Sequence, residues 1–254
     1  MVEDIRVHND NQHKRDALFA EPAQQVADFC FDERVVEVFP DMISRSVPGY
    51  QTIVNSLTQF VRRFAQPQSN LYDLGCSLGA ATIAIRQGCE HVDGCQIIAV
   101  DNSEAMIKRC RMHVDGYKGR TPVTIRCEDL AATPIDNASV VVLNFTLQFV
   151  PPAQRAAVIQ RIYDGMRRGA VLLVAEKLKH DDTVVDELLV DLHHDFKRAN
   201  GYSDLEISQK RAAIENVMRI DSLATHFQRF HEAGFKHHSV WYQCLNFAAM
   251  LAIK

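Results

Sequence analysis

Three polar residues stand where apolar runs of strand type end. Asp101 closes Gln96-Ile97-Ile98-Ala99-Val100, Asp129 follows the alternating stretch from Thr121 to Glu128, and Asn144 ends Ala138-Ser139-Val140-Val141-Val142-Leu143. A carboxylate can accept two hydroxyl hydrogen bonds at once, and in open α/β sheets ligands bind at the carboxyl ends of the strands. Asp101 comes about two dozen positions after Gly75, near the interval at which an acid meets ribose hydroxyls in dinucleotide folds. Asp129, with the N–H of Leu130, is placed to read an adenine edge, and Asn144 to lie over the centre of the site. The competing reading is structural: Asp101 and Asn102 cap the next helix and Asp129 starts a turn.

The element that gives these acids a shared target is Asn70 to Thr82, Asn-Leu-Tyr-Asp-Leu-Gly-Cys-Ser-Leu-Gly-Ala-Ala-Thr. Leu71, Tyr72 and Leu74 form a strand. Gly75 and Gly79 turn it, and Ala80 to Ile83 open a helix. Such a turn aims backbone N–H groups at a ligand and lets it approach closely. Together the turn and the strand ends predict a nucleoside-type cofactor.

Around this turn the chain alternates. A helix is predicted from Tyr50 to Phe64, with Ile53, Val54, Leu57, Phe60, Val61 and Phe64 at helical spacing. Strands follow at Leu71, Gln96–Asp101, 121–128, 138–145 and 169–176, separated by helices, which predicts a parallel sheet with right-handed crossovers. The alternation then stops. Residues 177–233 read as helices: one from Asp182 closed by Asn200-Gly201, one opened by the capping box Ser203-Asp204-Leu205-Glu206, and one from Asp221-Ser222 to Gly234. Strands at 239–242 and 247–253 end the chain. The expected architecture is a single α/β domain over 1–254, Rossmann-like, with a mostly parallel seven-stranded sheet and an antiparallel C-terminal hairpin. A flexible tail (1–20), a helical cap (21–66) and a helical lid or dimerisation insertion (177–233) complete it. Pro40 and Pro48 are expected to bracket 41–47.

Composition bounds the function. The 254 residues carry a net charge of −4, with 47% hydrophobic and 24% charged residues. This is an ordinary globular composition with no global field to draw the chain onto nucleic acid. No apolar run spans a bilayer and no signal peptide is recognisable, so a cytoplasmic protein is expected. The basic pairs Arg62-Arg63, Lys108-Arg109 and Arg167-Arg168 read as solvated helix faces or helix ends. The seven cysteines show no zinc-site spacing, so no metal is expected, and Cys76 has no activating base beside it. His193, His194 and His231 read as partly buried helix residues rather than proton shuttles, and Tyr202 as a packing residue or a pocket wall.

Asp-Leu-Gly-Cys-Ser-Leu-Gly is not the three-glycine dinucleotide fingerprint, since Ser77 and Ala80 replace glycines; it resembles the first motif of the class I S-adenosylmethionine-dependent methyltransferases. Longer stretches resemble one branch, the carboxy-S-adenosylmethionine synthases of tRNA wobble-uridine modification. They include Phe31-Asp32-Glu33-Arg34-Val35, Arg45-Ser46-Val47-Pro48-Gly49-Tyr50, Leu143-Asn144-Phe145-Thr146-Leu147-Gln148-Phe149, His194-Asp195-Phe196-Lys197-Arg198-Ala199-Asn200-Gly201-Tyr202 and Ser208-Gln209-Lys210-Arg211. The resemblance runs from about Asp16 to Lys254. It implies that S-adenosylmethionine (SAM) gains a carboxylate from prephenate, which becomes phenylpyruvate, and that carboxy-SAM then serves a separate tRNA-modifying enzyme. By position it implies that Tyr50, Gly75, Cys76, Ser77, Asp101, Asn102, Asp129, Leu130 (through backbone) and Asn144 hold SAM. It implies that Arg211, from the other subunit of a homodimer, holds the new carboxylate. Direct nucleic-acid binding is not expected. A conventional SAM-dependent methyltransferase acting on a small molecule or RNA is the alternative; a cofactor-binding regulator or tRNA partner without catalysis is a third reading.

Overall fold

The computed structural model describes residues 14–23 and 25–254. Its centre is one seven-stranded sheet in the order β3-β2-β1-β4-β5-β7-β6. The strands are β1 (Asn70–Leu74), β2 (Gln96–Asp101), β3 (Val123–Cys127), β4 (Ala138–Asn144), β5 (Met166–Lys177), β6 (His237–Cys244) and β7 (Phe247–Ile253). β1 to β5 are parallel, and β7 runs antiparallel to both β5 and β6. This is the predicted Rossmann-like arrangement with its C-terminal hairpin. Strand order reverses between β1 and β4, which opens a crevice at their carboxyl ends.

Alternate residues of each strand face opposite layers. Leu71, Ile97, Val140, Val142, Val171 and Leu173 pack against α2 (Tyr50–Phe64) and α3 (Ala80–Cys89). Tyr72, Leu74, Val141, Leu143, Leu172 and Val174 pack against α5 (Pro152–Gly165) and α8 (Leu223–Ala233). Between these elements lie α4 (Glu104–Gly116), a 3₁₀ turn at Leu147–Phe149, α6 (Thr183–Ala199) and α7 (Asp204–Ile214). Both halves of the capping box at Ser203 and Glu206 are formed, and Gly234 ends α8 in the left-handed conformation that favours glycine.

Three expectations are corrected. Pro40 does not interrupt the N-terminal helix: α1 runs Glu33–Ser46 with Pro40 inside it. An interior proline costs about 3 kcal/mol. Two features offset that cost: Asp32 accepts N–H bonds at the helix start, and Val35, Val36, Val38 and Met42 pack on Leu78 and Met106. The Arg167-Arg168 pair is not a helix end but opens β5, which starts at Met166; Arg167 donates to Asn137 Oδ1 and to the Pro67 and Gln68 carbonyls. The tail does not run free to residue 20. Asp16 is 1% exposed; it accepts the Tyr202 hydroxyl proton, lies 3.6 Å from Lys210 Nζ, and its carbonyl accepts from Arg45. Residues 1–13 lie outside the described part. Among the described residues no helix is long and apolar enough to cross a membrane.

Candidate functional site: a cradle at the strand reversal

The turn after β1 is built by bonds the sequence spacing anticipates. The N–H groups of Gly75 and Cys76 both donate to the Val100 carbonyl, at 2.8 and 2.9 Å, so β1 and β2 end together. Gly75, Ser77 and Gly79 all have positive φ, at 86°, 49° and 89°. Gly79 carries no side chain to cap α3, which leaves first-turn N–H groups for a ligand. At Gly75 a Cβ would collide with the side chain of Thr146. Gly75→Ala therefore combines left-handed strain of about 1–2 kcal/mol with overpacking of about 1–3 kcal/mol. We expect a lower melting temperature and at least a tenfold loss of SAM affinity by calorimetric titration; wild-type values in both would show that the turn tolerates a side chain.

Asp101 realises both readings of its position. Oδ2 accepts the Ser77 N–H and Oδ1 the Ser103 N–H, each at 2.9 Å. Its carboxylate thus locks the glycine turn and the start of α4 while retaining lone pairs. Burial raises its pKa in spite of those bonds. Asn102, beside it, is exposed at the crevice edge. Asp129 is exposed, accepts the Ala131 N–H at 2.8 Å and starts a turn, with half-buried Leu130 next to it. The N–H of Glu128 donates to the Asp101 carbonyl at 3.0 Å, which holds this loop against the end of β2.

Asp73, at the end of β1, is fully buried; it accepts from the Thr82 hydroxyl. Burial, with a further push from Asp101, raises it to about 7. Tyr50, the first residue of α2, lies with its ring 6.1 Å from that of Phe145. Its hydroxyl is pushed up by burial and by the Asp73 charge. Asp73 Oδ1 and Asn144 Oδ1 are shielded acceptors with no donor among the described residues. Buried acceptors of this kind call for donors, and an amino acid ammonium and ribose hydroxyls are donors. The residues present therefore fit a nucleoside carrying an aminoacyl tail.

Tyr50, Gly75, Cys76, Ser77, Asp101, Asn102, Asp129, Leu130 and Asn144 all lie along the carboxyl edge of β1 to β4 or on α2 above it. Arg211 does not join them within one chain. It lies on the last turn of α7 with its side chain 57% exposed, paired with Glu215. Cys76 is a free, buried thiol, raised by hydrogen bonding with the free thiol of Cys110 and by burial, which is the inert state. His193 donates its Nε2–H to the Ser46 carbonyl (2.8 Å) and is driven down to about 3 by burial and by Lys177, so it stays neutral. Tyr202 is a tie rather than a pocket wall: Arg45 stacks 3.9 Å over its ring and its hydroxyl is bound by Asp16.

Two buried ionisable groups next to the site were not foreseen. Glu176, pushed up to about 8 by burial, accepts the N–H groups of Leu147 and Gln148 and so fixes the turn after Asn144. Arg155, 1% exposed, ties that turn to residues 219–221. Neither falls in a motif; each would read in the sequence as a surface charge.

A sheet of this order with this cradle defines the SAM-binding methyltransferase class. Residues 71–169 match the "Methyltransferase domain" family. Solved structures agree at the level of fold. An O-methyltransferase family protein from Burkholderia thailandensis superposes with a TM-score of 0.64 at 16% identity, over 88% of this chain and 60% of that one. Human N-acetylserotonin methyltransferase in complex with SAM superposes at 0.57 and 15%, over 96% and 63%. Much nearer in sequence are proteins named Carboxy-S-adenosyl-L-methionine synthase. That of Idiomarina loihiensis is 62% identical over 95% of this chain and 99% of its own length, and that of Aeromonas hydrophila subsp. hydrophila 59% over 95% and 97%. The chain belongs to the carboxy-S-adenosyl-L-methionine synthase family, whose members are enzymes acting on SAM.

Proposed function

We propose that the chain converts SAM to carboxy-SAM with prephenate as carboxyl donor, releasing phenylpyruvate, and that the product supplies a separate enzyme that carboxymethylates wobble uridine in tRNA. The observation that carries this reading is the 62% identity over nearly the whole of both chains to a protein of that name. The crevice fits it. Asp101 and Asn102 would take the ribose hydroxyls, Asp129 and Leu130 the adenine edge, and the glycine turn with Asn144 the aminoacyl tail. The bound sulfonium supplies acidified methyl C–H bonds. Aromatisation of prephenate releases carbon dioxide and hydroxide; the hydroxide takes a methyl proton to become water, and the methyl carbon bonds the carbon dioxide. No protein base is consumed, so the chain's tasks are positioning and exclusion of water.

The product carboxylate needs a cation, and Arg211 supplies one if a second chain brings it over the crevice. α6 is built for such a pairing. Val184, Leu188 and Leu192 recur every four residues and are 76%, 56% and 40% exposed, an apolar stripe on the helix preceding α7. The working form in this proposal is a cytoplasmic homodimer, binding two small molecules and no nucleic acid.

Mass spectrometry tests the reaction. Purified protein with SAM and prephenate should yield a species heavier than SAM by one carbon dioxide, together with phenylpyruvate. Formation of S-adenosylhomocysteine with a methylated acceptor, and no heavier species, would establish a conventional methyltransferase instead.

A further inference from the structure

Beyond Asn144 the crevice meets a group of cations that the cradle does not use. Lys177 ends β5. Asn144 pairs with Ala175 in the sheet and Lys177 with Phe247, so Lys177 lies two residues past the partner of Asn144 and faces the same side. Its Nζ stands 5.9 Å over the Phe247 ring. Phe247 also meets the rings of Phe145 and His193, at 6.2 and 4.8 Å. His193 brings α6 to this spot, and Lys197 follows one turn later on that helix.

Neither lysine ammonium has a hydrogen-bond or ion-pair partner among the described residues, and both residues are half-buried. The acids whose charges act on Lys177 are engaged elsewhere: Asp186 accepts the His180 N–H and Glu215 pairs with Arg211. Burial, followed by the like charges of Lys210, Lys177 and Arg211, pulls Lys197 down to about 7. Lys177 is lowered by burial and then by Arg211. Lys210, by contrast, has Asp16 and Ser46 Oγ (3.0 Å) as partners. Half-buried, unpaired cations that repel one another are partly desolvated at a cost; an anion bound between them offsets that cost.

We propose that Lys177 and Lys197 seat a carboxylate of the carboxyl donor, a small ring-bearing dianion whose ring lies on the Phe145–Phe247 surface next to Asn144. This deepens the proposed function and rests on it. The seat is assigned to the two lysines and the carboxylate after transfer to Arg211, so donor and product are held by different cations.

The test uses the full-length enzyme in steady state, with prephenate varied at saturating SAM. Lys177→Met and Lys197→Met should each raise KM for prephenate at least tenfold while SAM affinity stays within about twofold, and Lys197→Arg should recover most of the loss. A second measurement avoids variants. Prephenate, added to wild-type enzyme holding S-adenosylhomocysteine, should protect Lys177 and Lys197 from acetic anhydride, read by peptide mass spectrometry; phenylpyruvate, with one carboxylate, should protect less. If the wild type turns over prephenate but the Met variants keep their KM, or the two lysines label equally with and without prephenate, the seat is wrong and the proposed reaction stands. If the wild type makes no carboxy-SAM from prephenate, the proposed reaction falls, and the seat with it.

Discussion

Arg211→Leu is expected to keep SAM affinity within about twofold and to weaken carboxy-SAM binding by roughly 30-fold to a few thousandfold. Removing one partner of a buried, hydrogen-bonded charge pair costs about 2–5 kcal/mol, and each 1.4 kcal/mol is a factor of ten. Among the described residues of a single chain the Arg211 side chain has only a solvent-exposed pairing with Glu215, which contributes little to folding, so the variant should fold normally. A guanidinium grips a carboxylate through two parallel hydrogen bonds, and an ammonium has no such fork; Arg211→Lys should therefore recover only part of the loss. The proposed dimer makes a second route to the same phenotype. Leu188→Glu puts a charge into the α6 stripe, and should give monomers by sedimentation that bind SAM but have lost the preference for carboxy-SAM, with Arg211 still present. Equal affinity of Arg211→Leu for the two ligands would remove the arginine from the reaction. A monomeric Leu188→Glu protein with full carboxy-SAM affinity would remove the second subunit.

The second large effect is on stability. Arg155 is inside the protein, and its guanidinium spans four acceptors: the carbonyls of Val150 (2.9 Å), Gln148 (3.1 Å) and Arg219 (2.7 Å), and Asp221 Oδ2 (2.7 Å). Arg155→Met leaves three carbonyls without these donors and Asp221 with Arg229 alone, at 2.9 Å. Breaking a buried pair from one side costs about 3–5 kcal/mol. Arg229 softens the loss at Asp221, so the lower half of that range is expected. For a chain of this size 1 kcal/mol moves the melting temperature by about 2–4 °C, giving a fall of roughly 10 °C. The turn tied down by Arg155 is the one that follows Asn144, so SAM should also bind more weakly near the new melting temperature. A shift under about 3 °C would mean that water takes over the four acceptors.

Some of this architecture is written in local chemistry. The limits of α2, Tyr50–Phe64, match because its start and stop signals, Gly49 before and Pro67 after, lie within a few residues of it. The capping box at Ser203 and the turn from Leu74 to Ala80 match for the same reason: their bonds close within one turn of chain. Other features are decided at a distance. Proline 40 reads as a boundary, and only the packing of α1 on Leu78 and Met106 makes it a helix interior. Arg167 reads as a helix end, and its partners come from residues 67, 68 and 137.

The sequence by itself determined the strand–helix alternation, the glycine turn and the acids at the strand ends, because hydrophobic period and left-handed turns act over neighbouring residues. The tertiary structure alone decided which charges lie inside. Asp16, Arg155 and Glu176 look like surface residues in the chain, and their burial follows from elements far apart in sequence closing over them; Lys177 and Lys197 are half-buried by the same closure. The low dielectric inside makes each such charge costly unless it is paired. Lys210 pairs with Asp16, Asp221 with Arg155, and two backbone N–H groups hold Glu176; the two lysines have no partner among the described residues, and Lys177 stands two residues past the strand partner of Asn144, at the edge of the cradle.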